Sequence, residues 1–388
     1  MIHADLAATA AYTTPPLWRI LTKTGYFVGL SGAIGTTVTY AASVRPALRA
    51  PQTEADDAAA LRRRTSMYLA WAGVVLLVTG YFQLAGRVAR AGKGMAFADA
   101  LAPGRIADFL TAPAAKGAWV AQGWIYVAQN VVLLLAAAAL VSPFTAAGRR
   151  RLDAVALTAL PLSLAITLVG AVPATTPKNA EKVLDLISGQ AHIISGTVWI
   201  GGLALLAALT AARRRLSGDA GLLWADIWRR FGLVALVSVA GVLISGLWMS
   251  WKHVGSPEQL WTTTYGLFLL VKILLVLAMI AAGAVNQLWL MPRIVRARET
   301  DAKAPLLHLT LHHFPKVVWA EVVLGIAVLG VVPFLAGSAR SEAGSPAPVA
   351  TGSIFAVGAL LVLTLAASLY VTAKASDALA RRGLAAAS

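Results

Sequence analysis

Read as a pattern of apolar and polar positions, the chain is a series of long apolar blocks separated by short basic segments. Against a template of about 20 residues, the length of helix that crosses a hydrocarbon core, there are about nine blocks. They fall near residues 25–46, 67–88, 118–141, 152–173, 187–212, 231–252, 265–291, 317–336 and 351–373. The pattern predicts an all-α fold, a polytopic integral membrane helical bundle. Three regions are expected: a four-helix membrane part in 1–175, a central membrane unit in 176–300, and two helices with a short tail in 301–388. The segment through TTPPLWRILTK lacks the short charged start and early apolar core of a cleavable signal, so Gly25 to Val44 reads as a retained helix. Between Ala89 and Lys116 the pattern breaks into Gly, Pro and mixed charge. The weakly amphipathic piece Ile106 to Leu110 is expected on the outer surface.

Composition narrows the class. The chain is 58% hydrophobic and 13% charged, about half the charge of a soluble domain. Its net charge of +16 comes from Lys and Arg lying almost wholly between the blocks. The excess therefore reads as topology and contact with anionic membrane lipid, not nucleic-acid binding. Placing the N-terminus outside and the C-terminus inside puts most of these residues in the cytoplasm, including Arg62 to Arg64, Arg149 to Arg151 and Arg213 to Arg215. With no cysteine, thiolate sites, Fe–S clusters and disulfides are excluded, leaving His, Met and carboxylates as ligands. No nucleophile with its base, paired-carboxylate site, P-loop or HExxH motif stands out, so no enzyme is read.

The fifth block carries the candidate chemistry. Between Ala191 and Ala212 its one ionisable residue is His192, and a span ending at Arg213, Arg214 and Arg215 places that histidine at the opposite interface. Ser195, Gly196, Gly201 and Gly202 admit a close neighbouring helix, and Trp199 lies two turns below His192 on the same face. In the sixth block Met249 and His253 are four residues apart, hence on one face. They are expected at the depth of His192, inside an interfacial belt of Trp248, Trp251 and Trp261. Two imidazoles and a thioether at one level form a set that suits copper, Met sulfur favouring Cu(I). His253 alone is equally an interfacial polar residue.

Other polar residues have two readings each. Lys272 either snorkels outward or faces the bundle as a fixed positive charge. Gln129 and Asn130 read as interhelical glue or as path lining, Asn286 is placed toward the inner path, and Glu321 is a functional candidate or the partner of Lys316. His308 and His312, one turn apart, belong to a surface helix or to a cytoplasmic metal-handoff site. His3, third after a free amine, is a chance histidine or a square-planar Cu(II) site. The stripe Gly25, Gly29 and Ala33, with Gly32 and Gly35 beside it, is assigned to helix packing.

The run from about Gln190 to Ile294 resembles the membrane domain of the CopD family of copper-resistance proteins. The matching pieces are His192 followed by VWIGG, then RRFGLVALVSVAGVLISGLW, TTTYGLFLLVK with Tyr265, Gly266 and Lys272, and NQLWLMPRI ending at Pro292. The resemblance implies a bacterial inner-membrane protein that moves copper from the outer side to the cytoplasm, often with a periplasmic copper-binding partner, CopC. His192 is the residue it carries over as a metal candidate. The sequence departs from fused versions of the family in having no CopC-like region, and it is not Met-rich. Two other classes compete with a copper permease. One is a b-type haem membrane protein with axial histidines, and the other is a non-transporting copper sensor or assembly factor.

Overall fold

The computed structural model describes residues 12–51, 53–92, 94–212, 216–217, 220–285, 314–364, 366–367 and 370. Among these the chain is helical with no strand. Eight helices are long and apolar enough to cross a membrane. They are α1 (Leu17–Leu48), α2 (Ala55–Ala91), α4 (Gln122–Val141), α5 (Leu152–Gly170), α6 (Ala180–Thr210), α7 (Ala220–His253), α8 (Thr264–Val285) and α9 (Phe314–Val331). In the block of the expected ninth crossing the structure describes a shorter apolar helix, α10 (Gly352–Thr364), and residues 366–367 and 370 beyond it. The amphipathic piece forms α3 (Pro103–Leu110), which buries none of its residues fully but lays Ile106 and Phe109 on a small cluster of Val88, Ala89 and Ala100. The multi-pass membrane architecture follows directly: each helix satisfies its own backbone hydrogen bonds, as a spanning segment in lipid must.

α1 starts eight residues before the expected boundary at 25, so Arg19 and Lys23 are helical residues and not flanking ones. It contains two π-turns, Ser31–Gly35 and Tyr40–Val44, and the first presses on α6. There the backbones nearly touch: a Cβ on Gly201 would collide with the Ser31 carbonyl, and one on Gly35 would overlap Gly201 and the Thr197 carbonyl. Only glycine permits this approach, which is how helices associate where the hydrophobic effect gives no drive. Between α6 and α7 the knob is Ser195, packed where a Cβ on Gly241 would stand. One hydrophobic cluster runs from Tyr26 to Leu329, through α1, α2 and α4 to α9.

Buried polar groups fasten the front half. Gln129 accepts from Arg87 Nη1 at 2.6 Å and donates to the Ile166 carbonyl at 2.9 Å, joining α2, α4 and α5 as glue. Its neighbour Asn130 does not: its amide donates to the Tyr126 carbonyl of its own helix at 2.8 Å. At the arginine-rich end expected inside, Asp153 accepts from Tyr40 at 2.5 Å and Arg49 at 2.6 Å, with Arg45 and Arg62 within 3.7 Å.

Candidate functional site

A cavity of about 500 Å³ opens between α1, α6, α7, α8 and α9 toward the end expected outside. Its walls are mostly apolar, and its polar groups are few: Lys23 from α1, His192 and Thr197 from α6, Ser250 and His253 from α7, and Tyr265 and Lys272 from α8. The volume and the small number of converging polar groups are those of a ligand site. Met249 and Trp199 also line it. The sequence-derived candidates His192, Met249, His253, Tyr265 and Lys272 thus border one space.

The hydrogen bonds around His192 fix its protons. The Ser245 hydroxyl donates back to the Gly241 carbonyl, so its oxygen is left to accept. His192 Nδ1 lies 3.0 Å from that oxygen and is therefore the protonated nitrogen. Nε2 then carries the lone pair, which Lys272 Nζ approaches at 3.4 Å. The lysine faces the bundle and does not snorkel. His253 is held by the same logic, with Nδ1 2.7 Å from the Met249 carbonyl and its ring stacked on Tyr265, centroids 5.8 Å apart. In both imidazoles Nδ1 is held by an oxygen of α7, which leaves Nε2 as the nitrogen turned to other partners, the arrangement a second-sphere carbonyl or hydroxyl gives a metal-binding histidine.

One expectation needs correction. His192 does not stand at the depth of Met249 and His253. It faces Ser245 and Gly246, where a Cβ would sit 3.5 Å from its Cε1. Ser245, Met249 and His253 are successive steps of four residues on α7, roughly 6 Å each along the axis. The three candidates form a ladder from rim to interior, not one coordination shell. Both α6 and α7 run on beyond their apolar blocks, from Ala180 and from Ala220, so flanking arginines alone do not fix how the two helices are set against each other in depth. Two imidazoles on levels two turns apart give the haem reading no support.

Further candidates lie elsewhere. Glu321 on α9 is buried, 2% exposed, beside Gly283 of α8 and away from the cavity lining. His3, Asn286, His308 and His312 fall outside the described residues, as does the Lys316 side chain. Among the described residues no group of three or more His, Asp or Glu is placed to hold an ion. Sequence reasoning missed Lys23, whose Nζ is 3.5 Å from the Val332 carbonyl and whose side chain lines the cavity. It also missed Ser245. Spacing offered a signal for that serine, which lies four residues before Met249 on the same face.

The rim is braced on two sides. Lys252 Nζ meets Asp185 at 2.5 Å and Glu181 at 3.0 Å, tying α7 to α6, and Trp248 Nε1 donates to Asp185. Across the mouth, the short helix Ala339–Glu342 places its carboxylate on the start of α8. Glu342 accepts from the Thr264 amide at 2.6 Å and the Tyr265 amide at 3.0 Å. Burial pushes this carboxyl up, but the two backbone N–H groups together with the Thr264 hydroxyl outweigh burial and hold it below its ordinary value. The Tyr12 hydroxyl donates to the Phe334 carbonyl at 2.8 Å. Burial, then the Glu342 charge, raises the pKa of that phenol.

Residues 225–335 match the family described as CopD, Copper resistance protein D. The chain is 29% identical over 242 residues to the Copper transport protein CutJ of Bacillus subtilis strain 168, covering 62% of this chain and 40% of that one. It is 29% identical over 173 residues to the Inner membrane protein YebZ of Escherichia coli K12, covering 44% of this chain and 54% of that one. The chain thus spans about half the length of the curated relatives it matches. No solved structure matches it. The family match begins after His192 and runs past Ile294 through α9, so it contains α8, α9 and most of α7. Residues 225–335 thus resemble the CopD family, within a multi-pass membrane chain whose preceding helices complete the cavity.

Proposed function

We propose that this protein transports copper across the bacterial inner membrane, accepting the ion at the outer rim and passing it inward along α7 to His192. The observation that carries the reading is the Nε2 of His192, contacted by the Lys272 ammonium alone and set inside a cavity whose rim holds Met249 and His253. His253 and Met249 are the first two steps, and a periplasmic carrier of the CopC type would present copper there. Imidazole and thioether are suitable ligands for Cu(I), and steps of roughly 6 Å let the ion be handed on with no single deep trap. Two-ligand relays of this kind favour movement over storage, and nothing in the site sets up a bond-breaking reaction. The orientation, with residues 12–23 and 253–263 outside, rests on the Lys and Arg asymmetry. A relative named as a copper transport protein supports the same conclusion.

Lys272 occupies the place a metal would take at Nε2, so loading requires that side chain to swing aside. Radiocopper uptake into sealed vesicles tests the assignment. The expected result is a loss of roughly tenfold or more in His192→Ala, the scale seen when a metal site loses ligand support. The variant should keep its elution profile in detergent. Uptake equal to wild type would remove His192 from the path.

A further inference from the structure

Two ammonium groups from different helices line the same mostly apolar cavity, and no carboxylate lines it. Neither Lys23 nor Lys272 forms an ion pair with a carboxylate among the described residues. An ammonium has three protons to donate. Lys272 directs one at His192 Nε2 and Lys23 directs one at the Val332 carbonyl, and both side chains line the cavity. Arg19, Arg90 and Lys272 are the charged neighbours felt by Lys23, and all are positive. Buried charge in a membrane protein is ordinarily paired, so the missing counter-charge points to something the cavity takes from its surroundings.

A bare copper ion would also be repelled here, because like charges in a low-dielectric space repel strongly. Copper arriving with coordinated anions would not. We propose that Lys23 and Lys272 form an anion subsite beside His192, and that copper is accepted with a halide as co-ligand. This deepens the transport reading and rests on it. A dihalocuprate(I) anion matches the positive cavity in charge. At His192 one copper–halide bond breaks and one copper–nitrogen bond forms at Nε2. The released halide is retained by the ammonium groups, and copper stays Cu(I) throughout. Halide is favoured over phosphate because the cavity offers few donors and mostly apolar walls, which suit a monovalent, weakly hydrated ion.

The test begins without copper. Chloride NMR line broadening is measured on the purified protein in neutral detergent, for wild type, Lys23→Gln, Lys272→Gln, and Lys23→Arg, which keeps the charge. Wild type is expected to broaden the line, with a loss of roughly tenfold in chloride affinity on removing either ammonium and little loss in the arginine variant. Lys23→Gln, at the rim, serves if Lys272→Gln fails to fold. Radiocopper uptake is then compared in chloride and in methanesulfonate, in vesicles of neutral and of anionic lipid. Uptake that rises with chloride in wild type, but not in Lys23→Gln, supports the proposal. Broadening equal in wild type and both glutamine variants overturns it, while leaving the His192 transport result untouched. Broadening abolished by anionic lipid, with uptake indifferent to chloride, assigns the ammonium groups to a lipid headgroup and also overturns it. Broadening that persists while His192→Ala takes up copper normally keeps the anion subsite and removes the copper path.

Discussion

The seam between α1 and α6 and the outer wall formed by α8 are built in opposite ways. In the most apolar 18-residue stretch, 67% of the residues are buried within the chain for α1 and for α6, against 11% for α8. The first pair meets backbone to backbone at Gly35 and Gly201. The second presents Leu267, Val271 and Leu274 outward, each about half exposed. Lipid is as apolar as leucine, so an exposed leucine on α8 costs little, and close van der Waals fit is what holds α1 to α6. The cavity lies where the tight front meets the loose back. A polar ligand space needs one fixed wall to position His192 and one wall able to give.

The sharpest way to break this contrast is Gly201→Leu. The side chain has nowhere to go against Ser31, and overpacking of ~3 kcal/mol or more is expected. Thermal unfolding in detergent should show a large fall in midpoint or loss of the monodisperse peak. A midpoint within a degree of wild type would mean the seam is not rigid.

An intermediate effect is expected at the strap over the mouth. The Glu342 carboxyl is held below its ordinary value of 4.5, so its grip on the α8 amides is fully present above that pH and fades only as pH falls through the lowered value. Hydrogen exchange at Thr264 and Tyr265 should therefore stay slow through mildly acid conditions. In Glu342→Gln it should rise several-fold at neutral pH. Equal exchange in both proteins would show that the strap does not hold α8.

The smallest effect is the control for the loose wall. Leu274→Ala removes a side chain that is 56% exposed, and stability should stay within about 0.5 kcal/mol of wild type by the same unfolding measurement. A loss as large as that of Gly201→Leu would erase the distinction between the walls.

Most of the architecture was legible in the chain, for a physical reason: hydrocarbon demands about 20 apolar residues per crossing, and eight of the expected blocks answer as long helices. The glycine stripe of α1 and the bonding role of Gln129 followed from the same solvent argument. Depth was less legible. His192 was placed by counting from arginines, while the packing of α6 on α7 sets its ring beside Ser245 and Gly246, a register that no local signal states. Asn130 shared its neighbour's position in the sequence, but it faces another direction, since adjacent residues on a helix point about 100° apart. Lys23 read as a flanking charge because nothing local says that α1 passes beside α8 and α9.

Lys23 and His192 both lie upstream of the stretch matched to the family. A fragment cut to that stretch would keep Met249, His253 and Lys272 yet lack the opposing face of the chamber. Swapping the leading helices between relatives would therefore exchange chemistry as well as scaffolding, and a chimera could acquire a different cargo preference with every residue of its matched half unchanged.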